Sequence, residues 1–148
     1  MAITAEPREA EWSMVAADAR EALRARIAVR EFLTAQADET SDLDGVETIV
    51  GELVANVIRH APGAVGIHVA WEGRTATLVI ADRGPGIPIL RPVPDGNAIG
   101  GRGLLLVRAL APRVEIDSVP GFGARVLVGL PVRRALTGGR RPRLDRYG

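Results

Sequence analysis

The chain has 148 residues, which fits one domain around one hydrophobic core and leaves little room for a second. Hydrophobic residues at 47% and charged residues at 25% make an ordinary globular balance, and charge or glycine interrupts every apolar run well short of a membrane span. A formal charge of +1 argues against a nucleic-acid binder, and the lack of cysteine excludes disulfides, thiolate metal sites and cysteine nucleophiles.

His60 and His68 lack the neighbouring carboxylates a zinc site would need. Every basic residue is arginine, so a Walker-type phosphate loop and Schiff-base chemistry, both of which need lysine, are ruled out. Glu6, Arg8 and Glu9 stand where a signal peptide would carry its apolar stretch, and a cytoplasmic location is expected.

Residues 1–15 read as a lead-in. A helix is predicted from about Ala16 to Ala37, with Ala19, Leu23 and Ile27 spaced along one face, then an acidic connection over Asp38–Gly45. A second helix runs from near Val46 to about His60, stopped by Pro62 and Gly63. Val50, Leu53, Val54, Val57 and Ala61 form its apolar stripe, and Glu52, Asn56, Arg59 and His60 share a neighbouring polar face. Val65–Trp71 and Thr75–Ala81 read as strands joined in a hairpin at Glu72–Gly73. Asp82–Gly103 holds six glycines and four prolines, too many for regular structure, and reads as a long functional loop. A short helix Leu104–Leu110 ends before Pro112, and two strands, Val114–Val119 and Ala124–Leu130, flank the turn Pro120–Gly123. From Arg133 onward arginine, glycine and proline alternate without an apolar pattern, and residues 133–148 are expected to be a disordered tail that leaves 16–132 as the domain. Hairpin-grouped strands with helices to one side predict an α+β fold, a two-layer sandwich.

Three pieces of this layout carry chemistry. Glu52 and Asn56, four residues apart on a helix, stand one above the other; the amide oxygen can hold a divalent cation while the carboxylate orients or deprotonates an attacking group. The same spacing also makes an ordinary solvated helix face. Asp82-Arg-Gly84-Pro-Gly86-Ile87-Pro88 follows a buried strand, where an aspartate can accept a hydrogen bond from an exocyclic amine and the glycines let the backbone approach a ligand; it is equally a turn that ends a strand. Gly100-Gly101-Arg102-Gly103 opens a helix whose free N–H groups suit a polyphosphate, with Arg102 adding a charge or pointing to solvent.

In this order and spacing the three pieces resemble the GHKL ATPases, from about Arg20 to Leu130. Within them the segments ELVANVIRHA and GGRGLLLV are most similar to the stand-alone bacterial anti-sigma-factor serine/threonine kinases. The resemblance implies the Bergerat α/β sandwich, with a mixed, mostly antiparallel sheet, helices on one face, and bound ATP and Mg²⁺. It implies Asn56 as the Mg²⁺ ligand, Glu52 as general base and Asp82 as the partner of the adenine amine. Gly84, Gly86 and Ile87 would shape the base pocket, and Gly101, Arg102, Gly103 and Leu104 would meet the phosphates. Arg59 and His60 lie at the edge of the same motif. The family commonly has a threonine where this chain has Ala124, which puts full catalytic competence in question.

On size, a small regulator is expected rather than a complete histidine kinase, gyrase or chaperone. By resemblance it would phosphorylate a STAS-domain anti-anti-sigma protein, engage a sigma factor, and form a homodimer, without contacting nucleic acid or membrane. The alternative is a non-catalytic ATP-binding module that sequesters a sigma factor or another regulator. A third reading takes VIADRGPGIP as the first motif of an S-adenosylmethionine-dependent methyltransferase, but such a motif opens a parallel sheet near the N-terminus, and here long helices precede it.

Overall fold

The computed structural model describes residues 6–60, 63–82, 101–119 and 123–136. The elements are β1 (Glu9–Ala16), α1 (Ala19–Thr34), α2 (Leu43–His60), β2 (Gly63–Glu72), β3 (Thr75–Asp82), α3 (Gly101–Leu110), β4 (Arg113–Val119) and β5 (Gly123–Gly129). The strands form one open sheet in the order β1-β2-β3-β5-β4, and each neighbouring pair is antiparallel. The α+β sandwich with helices on one face is therefore present, with a sheet fully antiparallel among the described residues.

Period-2 alternation places the core. On β2, Val65, Ile67, Val69 and Trp71 are buried, and on β3, Ala76, Leu78, Ile80 and Asp82 are buried beside them. The hairpin between the two strands turns at Gly73, whose φ of +64° is a left-handed conformation that glycine adopts without a Cβ penalty. Over this face lies α2, burying Val46, Ile49, Val50, Leu53, Val54 and Val57, which includes the expected stripe except Ala61, which lies outside the described residues. The Asp42 carboxylate accepts the Gly45 N–H at 2.8 Å and satisfies one of the free donors at the start of this helix. Asp18 does the same for α1, accepting from the Arg20 N–H at 2.9 Å.

The buried face of α1 differs from the expected one. Ala25, Val29 and Leu33 are in the core, whereas Leu23 and Ile27 are 50% and 45% exposed. The helix carries two apolar rows. The row Ala25–Val29–Leu33 is flanked by Ala22 and Phe32, which also pack on the core, so it makes the wider apolar face.

Two further segments depart from the sequence reading. β1 lies almost wholly within the stretch taken as a lead-in; it pairs with β2 over its full length, from Glu9 opposite Ala70 to Ala16 opposite Gly63. At the other end, residues 131–136 are held by hydrogen bonds, and 133–136 of them fall in the stretch expected as a tail. Asp42 N–H donates to the Pro131 carbonyl at 2.8 Å, Asp38 N–H to Arg133 at 2.7 Å and Ala135 N–H to Gln36 at 2.7 Å, while the Ser41 hydroxyl accepts the Arg133 N–H at 2.8 Å. Val132 is buried, and Arg74 clamps the strap through the Arg134 carbonyl and the Asp38 carboxylate. This strap ties the α1–α2 connection to the β2–β3 hairpin, and so holds the start of the helix that carries Glu52 and Asn56.

Ending the chain at Leu130 removes these bonds and one buried valine. At about 1 kcal/mol per net hydrogen bond the loss is about 3–5 kcal/mol, or a fall of about 10–20 °C in melting temperature. A shortened chain melting within about 3 °C of the full one would show the strap to be idle. No helix among the described residues is long and apolar enough to cross a membrane.

Candidate functional site

Chain connectivity gathers the described candidate residues at one end of the sandwich. Only two residues separate His60, the last of α2, from Gly63, the first of β2, so the C-terminal half of α2 lies over the end where β2 begins. That is the end where β3 finishes, since Val65 pairs with Asp82, and where β5 begins. Asp82 is 6% exposed and faces the helical layer. The register that pairs Ala81 with Arg125 brings Ala124, also 6% exposed, alongside it.

On α2, Asn56 is 8% exposed, and its amide oxygen Oδ1 has no hydrogen-bond partner among the described residues. An oxygen acceptor left unmatched in a buried position costs about 1–3 kcal/mol unless a ligand completes it. One turn earlier, Glu52 is half-buried and reaches α3: a Cβ built on Gly103 would stand 2.5 Å from the Glu52 Oε2. Only a residue without a side chain admits the carboxylate there, against the first turn of α3. Helix N–H groups and the positive end of the dipole favour a negative charge at that point.

Gly103→Ala therefore makes a selective test. The clashing atom is the far end of a flexible side chain, so the fold survives with a melting temperature within a few degrees of wild type. The carboxylate must swing away, and any activity that depends on its position falls at least tenfold. Unchanged activity in this variant would detach Glu52 from the chemistry.

The other candidates are distributed as follows. Arg59 and Arg102 are exposed, Leu104 is half-buried, and Gly101 is the first residue of α3. His60 closes α2, with its side chain outside the described residues, as are Gly84, Gly86 and Ile87. The α3 helix starts three residues earlier than expected, which puts Gly101, Arg102 and Gly103 within its first turn. The approach of Glu52 to Gly103 was not foreseen, because nothing in a linear motif couples two positions so far apart in the chain.

The donor set suits magnesium with a nucleotide better than a protein-only metal cage. Among the described residues no three metal-ligating side chains converge. One buried amide oxygen with a carboxylate a turn away matches a hard cation that completes its shell with phosphate and water.

The histidine kinase-like ATPase domain family matches residues 15–128 of the chain. The anti-sigma F factor of Pasteuria penetrans is 32% identical over 117 residues, covering 69% of this chain and 77% of that protein. The serine/threonine-protein kinase RsbT of Bacillus subtilis is 36% identical over 94 residues, covering 59% of this chain and 71% of that one. Full-length ShkA, solved in complex with AMPPNP, overlays on 88% of this chain and 33% of its own at 20% identity and a TM-score of 0.46.

Proposed function

The chain belongs to the histidine kinase-like ATPase family, and from that premise we propose that it is a Mg–ATP-dependent serine/threonine protein kinase of the anti-sigma-factor type, acting on a STAS-domain anti-anti-sigma protein. The observation that carries the reading is the Glu52 carboxylate lodged against Gly103 at the start of α3, one turn from the unmatched Asn56 oxygen. It supports a reading in which Glu52 is the base, Asn56 the cation ligand and the start of α3 the phosphate site.

In this reading Asp82 accepts the adenine amine, with Gly84, Gly86 and Ile87 forming the walls of the base pocket. The first-turn N–H groups of α3, from Gly101 to Leu104, receive phosphate oxygens, and Arg102 is close enough in sequence to add a charge. Glu52 takes the proton of the attacking serine or threonine hydroxyl as its oxygen bonds to the γ-phosphorus and the bond to ADP breaks. Asn56 Oδ1 would hold a magnesium ion, which when bound would neutralise charge on the phosphates. Arg59 and His60 stand at the rim. Soluble action in the cytoplasm and contact with a sigma factor belong to the same proposal.

The test is transfer of labelled γ-phosphate from Mg–ATP to STAS-domain proteins of the same genome. Label on a serine or threonine is the expected result; nucleotide binding without transfer to any of them would overturn the kinase reading. One observation favours a second reading, a binding module that uses ATP only as a structural ligand: Ala124, beside Asp82, offers no hydroxyl to the base pocket. Ala124→Thr is accordingly expected to tighten Mg–ADP binding by about 3- to 10-fold, the value of one net hydrogen bond. Calorimetric titration measures it, and equal or weaker affinity would remove Ala124 as the reason for a weakened pocket.

A further inference from the structure

The two faces of the sheet differ in what they meet. Trp12, Ile67, Ile80, Val126 and Ile116 stand in one cross-strand row, and the buried apolar strand residues share that parity, beneath the helices. The neighbouring row, Glu11, His68, Val79, Leu127 and Glu115, points the other way. Among the described residues no helix lies over it.

Charge on this open face is matched at one side and not at the other. On β4 and β5, Arg113 pairs with Glu115 at 2.6 Å and Arg125 with Asp117 at 3.6 Å. On β1 and β2 the outward positions hold Glu9, Glu11 and Glu72 and no arginine. His68, 3.3 Å from Glu9, is the one basic side chain among them. Between the two flanks lies a neutral floor: Val79 stands opposite Leu127, both half-buried, and Val15 is 61% exposed at the margin.

The strap delivers the chain to the acidic side of this face. Ala135 N–H donates to the Gln36 carbonyl at 2.7 Å, and Gln36 Nε2 donates to the Pro7 carbonyl at 2.7 Å, just ahead of β1. Leu136, the next residue, is 65% exposed. Residues 137–148, outside the described residues, carry Arg140, Arg141, Arg143 and Arg146 against Asp145 alone, with Leu144 and Tyr147 set among them. A segment of that length reaches up to about 40 Å. The face measures about 26 Å along an eight-residue strand and about 19 Å across five strands.

We propose that residues 137–148 pack across the open face of the sheet, arginines against Glu9, Glu11 and Glu72, and Leu144 and Tyr147 on the Val79–Leu127 floor. An exposed ion pair between free molecules contributes little. Attachment through the strap changes this, because a tethered segment meets its site at an effective concentration in the millimolar range. That advantage selects the chain's own arginines over those of a foreign basic peptide.

The experiment is amide chemical-shift mapping of the full chain without nucleotide, so its outcome is separate from the ATPase reading. The reference is a chain ending at Leu136, which keeps every described residue, the strap included. Ser13, Val79 and Leu127 are expected to differ between the two at about 0.1 M salt and to converge at about 1 M, where the Debye length falls from about 10 to about 3 Å. Glu9→Gln/Glu11→Gln/Glu72→Gln in the full chain should reproduce the shortened chain's shifts already at low salt, with circular dichroism confirming its fold. Dilution should leave the full chain's shifts unchanged, as a tethered contact requires. Identical shifts in the full and shortened chains would show the segment solvated, and shifts lost on dilution would assign the contact to another molecule. Either result, or shifts that persist in the triple variant, would overturn the proposal.

Discussion

Glu52→Ala will retain Mg–ATP binding and lose phosphoryl transfer by at least about 100-fold. General bases contribute about 10²- to 10⁴-fold, and the residue has no second carboxylate on its face of α2 to take over. Binding survives because the residues assigned to base and phosphates lie elsewhere, on β3 and α3. Truncation costs no buried hydrogen bond shown for Glu52, so the melting temperature should stay within about 3 °C of wild type. The decisive comparison is single-turnover transfer with nucleotide saturating, which reads chemistry apart from affinity. A variant with transfer within threefold of wild type would transfer the role of base away from Glu52.

Asp82→Asn is the second change with a large expected effect, and it acts on the other half of the reaction. A buried carboxylate at a strand end is a strong, oriented acceptor, and a hydrogen bond to a charged group is worth about 1.5–3 kcal/mol. Asparagine keeps the size but can present a donor where the adenine amine also donates. Affinity for Mg–ATP and Mg–ADP should fall about 10- to 100-fold, with inorganic phosphate and free Mg²⁺ unaffected. Equal loss for adenosine, ADP and ATP would place the contact at the base; loss for ATP alone would place it at the phosphates and contradict the assignment.

The elements that were legible from sequence are those whose pattern is reinforced from both sides. Val65–Trp71 and Thr75–Ala81 alternate cleanly because one face of each strand is buried and the other is not, and the stripe on α2 survives because that helix sits centrally over the sheet. β1 was missed although Ala10, Trp12, Met14 and Ala16 alternate with Glu9, Glu11, Ser13 and Val15. Its inner face is only half-buried at the sheet edge, so small and polar residues dilute the signal. In α1 two apolar rows competed, and only packing against β1 and α2 decides between them. The strap at 131–136 has no periodicity, because its bonds are backbone to loop.

The candidate site was legible as three motifs but not as a site. Sequence spacing places Glu52 above Asn56 because both are on one helix. It says nothing of Gly103 touching Glu52, or of Ala124 standing beside Asp82, since those meetings depend on how α3 and β5 return to the same end of the sheet. Gly84, Gly86 and Ile87 lie outside the described residues, and their part in the base pocket rests on the motif.

The claim on which the rest depends is that this end of the sandwich is an adenine-nucleotide pocket, and thermal unfolding in the presence of Mg–ATP, Mg–ADP and S-adenosylmethionine tests it without any partner. Ligand at a hundredfold excess over its dissociation constant stabilises the folded state by about 2.7 kcal/mol, a rise of about 5–10 °C for a chain of this size. Both nucleotides should give that rise in a saturable, magnesium-dependent manner, and S-adenosylmethionine should give none. No shift with either nucleotide, or a shift with S-adenosylmethionine alone, would contradict the account.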